Sequence, residues 1–418
     1  MKRELKAEAE RHFSRAVVKK PMDMFPRLHR DSGIFHVEEK SDAGRPAQNK
    51  RLRAEHNVFY QQFRPVILVL TAFGRLSLQR NADGEYKWNW FSWLSLYCLV
   101  NYAVQTYLAV AICRQRIKAV FESSNYDEFI FAIHILAYIQ IHFHVPISYW
   151  VQGPLYAQYL NQWTQFQDEW FLLTREKLKF RHKKATLAFV VVMLPSLALL
   201  LVMEKYSTLH DPFEYLLPHF FTIGSTACVL SVWYIACLEI SLISKDLTQH
   251  LIKRLHTDPD PTFLQQWRTL WINLGSLVTD LGTNHFAIMA SIFLTFSLTF
   301  LLGLYNALSK IIIGDISLKT TGYLTASGLS ILIIYIVCDS GHQATARVES
   351  YASQCILSSH LPAACDDIKY EIDLILRVVQ TDPPQIQLAG FVTLNRPLFI
   401  SFVANTITYL IVILQFKG

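Results

Sequence analysis

Charged residues are scarce in this sequence of 418 amino acids. They make up 17% of the chain, against 52% hydrophobic residues, whereas an average soluble domain has about 25% charged residues. The apolar excess collects in blocks of about 20 residues, the length that an α-helix needs to cross a bilayer. Charged stretches separate these blocks. The composition therefore predicts an all-α integral membrane protein rather than a set of soluble domains.

The sequence also lacks the motifs of common enzymes and metal sites. It has no Walker A loop, no GxSxG motif and no HExxH pair. Its 7 cysteines include no CxxC pair, which argues against a zinc site, and their odd number argues against a disulfide framework. The net charge of +6 comes from residues that flank apolar blocks, so it does not indicate nucleic-acid binding. We therefore expect no enzymatic activity, no cofactor and no nucleic-acid partner.

No signal-peptide segment is visible in the first sixty residues. Residues 1–56 are charged and have no apolar periodicity, so we predict a cytosolic tail. The apolar stretch from Phe63 to Phe73 is too short to span a membrane. We interpret it as a packed, re-entrant or interfacial helix.

Seven further apolar blocks are candidate transmembrane helices. Their approximate ranges are 89–112, 127–151, 185–203, 216–241, 285–308, 321–338 and 397–416. Histidines lie within the second and fourth blocks, so counts of six or eight are also possible. The short apolar helix and six spans form a predicted domain at 57–338. A cytosolic anchor helix follows at 339–396, and the last span occupies 397–418.

Lys and Arg are distributed unequally between the loops. The connections 152–184, 242–284 and 339–396 carry more than twice as many as the alternate connections. Because cytosolic loops carry the excess of Lys and Arg, we predict a cytosolic N-terminus and, with seven spans, an extracellular C-terminus. This orientation is the reverse of that of a G-protein-coupled receptor.

The cytosolic connections contain apolar residues at helical spacing. The three stripes are Leu247, Leu251 and Leu255; then Phe263, Trp267, Leu270, Trp271, Leu274 and Leu277; and finally Ile368, Ile372 and Ile375. The segment Asp258-Pro259-Asp260-Pro261 separates the first two stripes. These helices could pack within one subunit or against neighbouring subunits, and the pattern does not distinguish the two arrangements.

The last span carries polar residues on one face. The residues that share this face, at steps of four and three, are Ser401, Asn405, Thr408, Val412 and Gln415. Hydrocarbon satisfies no hydrogen-bonding group, so this face either bonds to another helix of the same subunit or meets water. In the second case, several copies would line a pore with neutral polar rings and an apolar ring at Val412.

The end of this span reads Thr408-Tyr409, five apolar residues and Gln415-Phe416. This pattern resembles the signature of insect gustatory receptors. Other residues among about the last eighty resemble the carbon dioxide receptors of that family. They are Cys338-Asp339 with His342, Glu371-Ile372 with Leu376-Arg377, Pro384, Gly390-Phe391, and Asn395-Arg396 with Leu398-Phe399.

The resemblance implies a tetrameric, ligand-gated, non-selective cation channel in the plasma membrane of chemosensory neurons. In that family Gln415 and Phe416 would lie at the outer constriction of the pore, with Thr408 and Tyr409 deeper. Mixed assemblies are implied for the carbon dioxide receptors, so both homotetramers and heterotetramers of related subunits are expected. The small-molecule ligand would bind in the outer half of the bundle. Carbon dioxide is the ligand implied, and sugars or bitter compounds are the alternative.

Polar and aromatic residues inside the spans are candidates for the ligand pocket. They are His142, Tyr149, Trp150, His219, Thr222 and Tyr234. Interhelical hydrogen bonding or interface anchoring is the alternative role for these residues. His142 and His144 are two residues apart and point to different sides of a helix, so we expect no shared metal ion. A secondary transporter is a less favoured function, because the spans show neither an internal repeat nor a broken-helix pair.

Overall fold

The computed structural model describes residues 57–81, 85–122, 126–207, 216–257, 260–314, 318–358, 366–381, 383–388 and 390–415. The predicted tail at 1–56 and the motif residue Phe416 lie outside these ranges. The described residues all belong to one contact unit, which extends over Ala47–Gly418.

Nine helices and two short hairpins make up the described residues. The helices are α1 (Val58–Ala72), α2 (Trp93–Glu122), α3 (Tyr126–Thr174), α4 (Lys183–Ser207), α5 (Leu216–Thr257), α6 (Pro261–Ile313), α7 (Leu318–Ser358), α8 (Asp366–Thr381) and α9 (Arg396–Gln415). The strands are β1 (Leu78–Arg80), β2 (Tyr86–Trp88), β3 (Gln387–Leu388) and β4 (Val392–Thr393), paired antiparallel as β1–β2 and β3–β4. The predicted helical membrane fold is confirmed, apart from these hairpins, which the sequence did not indicate.

Each of the seven predicted spans coincides with one helix. Five of them, α2, α3, α5, α6 and α7, are long and apolar enough to cross a membrane within the described residues, and α9 is a shorter apolar helix. The 25-residue α4 covers the third predicted span. The short apolar stretch forms the 15-residue α1, whose apolar face is buried.

Five helices extend well past their predicted spans, and one of them, α2, extends into the connection between the first two spans. The extensions of α3, α5, α6 and α7 all fall in the connections 152–184, 242–284 and 339–396, the ones rich in Lys and Arg. α3 packs along α6, and α7 packs against both α5 and α6. The longest helical extensions therefore lie in the connections that the sequence predicts to be cytosolic.

The extended helices pack against one another within the subunit. Leu247, Leu251 and Leu255 are buried, and the indole N–H of Trp267 donates to the Leu247 carbonyl at 2.9 Å. The indole N–H of Trp271 donates to a carbonyl of α7 at 3.3 Å. Of the two arrangements left open by the apolar stripes, the structure shows packing within one subunit.

The break between α5 and α6 follows the local sequence. α5 ends at Thr257, and α6 begins at Pro261, a position where the missing N–H of proline is tolerated. The Asp260 side chain caps α6 by accepting from the backbone N–H and the hydroxyl of Thr262. These hydrogen bonds favour the ionised carboxyl and hold the pKa of Asp260 below its usual value.

The second hairpin connects α8 to α9 and lies against α6 and α7. A Cβ atom at Gly282 of α6 would lie 2.8 Å from the Gln387 carbonyl, and one at Gly341 of α7 would lie 3.1 Å from the Leu394 carbonyl. The turn itself contains Gly390, which has a φ of +75° that favours glycine. Two glycines therefore let the hairpin backbone approach the bundle directly before α9 begins.

Candidate functional site

The last helix, α9, packs against α6 and α7, and the residues of its packed face are Phe402, Thr406 and Leu410. Phe402 contacts the rings of Phe293 and Phe300 of α6, at centroid distances of 5.5 and 6.1 Å. Thr406 and Leu410 lie on the same face and are buried. The Thr406 hydroxyl donates to the Phe402 carbonyl at 2.9 Å, so its polar group is satisfied within the helix.

The opposite face of α9 is the polar one. Its members Ser401, Asn405, Thr408, Val412 and Gln415 are all exposed in the single chain. Tyr409, next to this face, is 62% exposed. The alternative in which these residues bond to another helix of the same subunit therefore has no support from the packing of α9.

The start of α9 is tied to α7 by charge. The Arg396 side chain donates to a carboxylate oxygen of Asp339 at 2.7 Å, and the same carboxylate accepts from Gln343 at 2.6 Å. The Asn395 side chain caps the helix by accepting from the backbone N–H of Leu398 at 2.9 Å. The first turn of α9 is therefore joined to α7 through the Asp339 carboxylate.

Two of the predicted pocket residues lie close together inside the bundle. His142 of α3 is fully buried, and His219 of α5 is near enough to interact with it electrostatically. His219 stacks on Tyr138 with a centroid distance of 6.2 Å. His144 is exposed, so His142 and His144 do point to different sides of α3.

The other predicted pocket residues of α3 and α5 contact different neighbours. Tyr149 is buried beside Cys228 of α5. Trp150 packs edge-on against Tyr102 of α2, at a centroid distance of 5.2 Å. Thr222 is buried, and the backbone carbonyl of Thr222 accepts hydrogen bonds from neighbouring hydroxyls of α5.

Tyr234 does not join this group. Its side chain is 44% exposed, whereas His142, Tyr149 and Thr222 are buried. Twelve residues separate Tyr234 from Thr222 on α5, which turns the two side chains to different sides of the helix.

The packing around His142 includes residues that the sequence did not single out. Arg75, in the segment between α1 and β1, donates from Nη2 to Nδ1 of His142 at 3.3 Å. The Tyr102 ring stacks on His142 with a centroid distance of 5.4 Å, and the Thr106 hydroxyl lies 3.2 Å from Nε2 of His142. A basic residue placed directly after a short apolar stretch was the one sequence signal for Arg75.

A cavity of about 640 Å³ opens near this group, where α2 begins and the first hairpin ends. Its wall includes Ser77, Trp88, Trp90, Trp93, Cys98 and Trp150. These tryptophans lie at the same end of the first two predicted spans, where amphipathic rings anchor helices at the membrane interface. The first hairpin packs closely here, since a Cβ atom on Gly153 of α3 would overlap the Trp88 ring.

Comparison with known proteins gives one family. Residues 63–417 match the model of the 7tm chemosensory receptor family. The chain is 25% identical over 378 residues to gustatory and odorant receptor 22 of Anopheles gambiae, covering 89% of this chain and 81% of that protein. It is 24% identical over 370 residues to gustatory and odorant receptor 21a of Drosophila melanogaster, covering 87% and 82%.

Solved structures with the same fold include the insect olfactory receptor OR5 from Machilis hrabei. This structure superposes with a TM-score of 0.57 at 14% identity, covering 84% of this chain and 97% of the other. The structure of the same receptor in complex with eugenol gives a TM-score of 0.59 at 15% identity, with the same coverage. At these identities the structural similarity shows a shared fold and nothing more.

Proposed function

Because this chain belongs to the 7tm chemosensory receptor family, we propose that it is a subunit of a ligand-gated, non-selective cation channel. The channel is a tetramer of this chain, alone or with related subunits, in the plasma membrane of chemosensory neurons. The N-terminus faces the cytosol, and the cytosolic extensions of α3, α5, α6 and α7 together with α8 form its anchor. The last helix, α9, lines the pore.

The exposed polar face of α9 is the observation that supports this proposal. Ser401, Asn405 and Gln415 would each lose hydrogen bonds if they faced hydrocarbon. Since the packed face of α9 is already in contact with α6 and α7, the polar face has to meet water or another copy of the chain. In a fourfold arrangement around a water-filled axis, the polar face of each α9 meets both water and the neighbouring copies. Val412 then forms an apolar constriction that can exclude water when the channel is closed.

The region around His142, Tyr149, Trp150, His219 and Thr222 is the proposed ligand pocket. It lies between α3 and α5, and it combines aromatic walls with a small number of polar groups, as small-molecule sites do. Gating follows if ligand binding there shifts α7, because Asp339 of α7 holds Arg396 at the start of α9. The pocket and the pore are then linked through one helix.

Carbon dioxide is the proposed stimulus. Support for this finer assignment comes from the C-terminal residues that resemble the carbon dioxide receptors, among them Cys338-Asp339, Gly390-Phe391 and Asn395-Arg396. These residues are concentrated where α7, the second hairpin and α9 meet. They therefore support a shared mechanism of gating more directly than they support a shared pocket.

Recording of ligand-evoked current tests the proposal. The chain is expressed with and without related subunits, and carbon dioxide, sugars and bitter compounds are applied at constant pH. We expect Val412→Ala to raise the current in the absence of ligand, because a smaller side chain lets water fill the constriction. Gln415→Ala should change the relative permeability of cations, because it removes a ring of polar groups.

A substitution on a third face of the same helix provides the control. Ile407 is 48% exposed but lies away from both the polar and the packed faces of α9. Ile407→Val should leave permeation and gating unchanged. If currents of Val412→Ala and Gln415→Ala channels match those of the unmodified protein, α9 does not line the pore.

A further inference from the structure

We propose that Arg75 forms an oxyanion-binding site inside the membrane domain, next to the aromatic cavity. The proposal starts from burial of this side chain, which has no exposed surface although it is charged. Among the described residues no Asp or Glu pairs with it, and its Nε and Nη1 groups have no hydrogen-bond partner. The proposal concerns a binding site and does not depend on the channel function.

The one hydrogen bond that the Arg75 side chain makes within the described residues does not neutralise its charge. A guanidinium has only donors and stays protonated in proteins, so Nδ1 of His142 has to be the acceptor of the 3.3 Å contact from Nη2. His142 is then neutral and carries its proton on Nε2, which donates to the Thr106 hydroxyl at 3.2 Å. The imidazole therefore fixes the orientation of the guanidinium and contributes no negative charge.

A buried charge of this kind needs a partner. An unpaired charge away from water is costly, and a buried donor that makes no hydrogen bond adds to that cost. Ionisable groups inside membrane domains are therefore rare and are paired or functional. A bound oxyanion supplies both the negative charge and the acceptors that Nε and Nη1 lack.

The surroundings of Arg75 place its guanidinium close to the cavity. The Cζ atom of Arg75 lies 5.9 Å from the centroid of the Tyr102 ring, and Tyr102 contacts Trp150. Trp150, Cys98 and Ser77 line the cavity, and Cys98 is within electrostatic range of the guanidinium. A single ring, that of Tyr102, thus contacts the guanidinium on one side and the cavity wall on the other.

Two sources can supply an oxyanion at this place. One is a small dissolved anion such as formate or bicarbonate. The other is the anionic headgroup of a membrane lipid, since the cavity lies at the predicted cytosolic interface, where anionic lipids are enriched. The chemistry that Arg75 recognises is the same in both cases.

Thermal unfolding of the full chain in lipid nanodiscs tests the proposal. In one arm, formate replaces chloride at constant pH and ionic strength in phosphatidylcholine discs. In the other arm, phosphatidylglycerol replaces part of the phosphatidylcholine and no formate is added. We expect the thermal midpoint to rise by about 2 °C or more in at least one arm, and the arm that responds identifies the source.

Three variants decide whether Arg75 is the binding group. Arg75→Gln should abolish the rise, whereas Arg64→Gln, which removes an exposed arginine of α1, should retain it. Arg75→Lys keeps the charge without the planar fork, so it should need about tenfold more formate or anionic lipid for the same rise. If Arg75→Gln does not fold, Arg75→Lys still shows whether Arg75 is the binding group.

The proposal fails if neither formate nor anionic lipid raises the midpoint of the unmodified protein. It also fails if the rise in Arg75→Gln or Arg75→Lys equals that of Arg64→Gln. Binding is measured here without any current, so a failure of the channel proposal leaves this result unaffected.

Discussion

One buried carboxylate oxygen accepts three hydrogen bonds from the loop between α3 and α4. Oε1 of Glu239, in α5, accepts from the backbone N–H groups of Arg181 and His182 at 2.9 and 2.8 Å. It also accepts from Nδ1 of His182 at 2.9 Å. Glu239 is 1% exposed, so water does not compete for these bonds.

Replacement of Glu239 by alanine leaves the two backbone N–H groups without acceptors. A hydrogen bond to a charged group contributes about 1.5–3 kcal/mol. We take the lower value for each backbone bond, since Glu239→Ala also removes the cost of burying the carboxylate. The sum is about 3 kcal/mol, and at 1.4 kcal/mol per tenfold change the open population of the loop rises about 100-fold.

Trypsin cleavage measures this opening, because the loop and the start of α4 are rich in its target residues. They are Arg175, Lys177, Lys179, Arg181, Lys183 and Lys184. When a segment opens and closes faster than it is cut, the rate of cleavage follows the open population. We expect Glu239→Ala protein to be cut in this loop about 100-fold faster than the unmodified protein.

Asp246→Asn is the matched control. It removes the carboxylate that binds the Arg181 guanidinium at 2.8 and 2.9 Å, but the Arg181 side chain is 55% exposed. Exposed ion pairs contribute about 0–1 kcal/mol, so cleavage should rise less than about fivefold. Equal rates for Glu239→Ala and Asp246→Asn would refute the reasoning that the buried oxygen holds the loop.

Two glycine substitutions test the close contacts of the hairpins. Gly153→Ala should destabilise the protein by about 1–3 kcal/mol, because its methyl group overlaps the Trp88 ring; Gly328→Ala, with no atom within 4 Å, should not lower the thermal midpoint. Gly282→Ala should displace the second hairpin and alter ligand-evoked current at unchanged surface expression. Gly275→Ala, 3.6 Å from its nearest neighbour, should leave the current unchanged. Equal effects within either pair would contradict these contacts.

Much of the architecture could be predicted because it depends on local patterns. Blocks of about 20 apolar residues correspond to helices since a bilayer imposes that length. The proline at 261 and the carboxylate at 260 mark a helix start, because both act on neighbouring backbone groups. The face formed by Ser401, Asn405 and Thr408 follows from helical geometry alone.

Which side of α9 is packed and which is exposed could be learned only from the tertiary structure. A polar stripe shows which residues share a face but not what that face meets, since water, a partner helix and a second copy would all satisfy it. Contacts of Phe402 with Phe293 and Phe300 fix the packed side. Because the polar stripe lies on the opposite side of α9, it is exposed.

The sequence by itself determined the class of protein, the positions and order of its apolar helices, and the family that its C-terminal motif resembles. These properties depend on composition and on residues a few positions apart. Only the tertiary structure decided which distant residues meet, such as Arg75 with His142 and Glu239 with the loop at 181–182. Such pairs are set by how whole helices pack, and the local sequence does not encode that packing in a readable pattern.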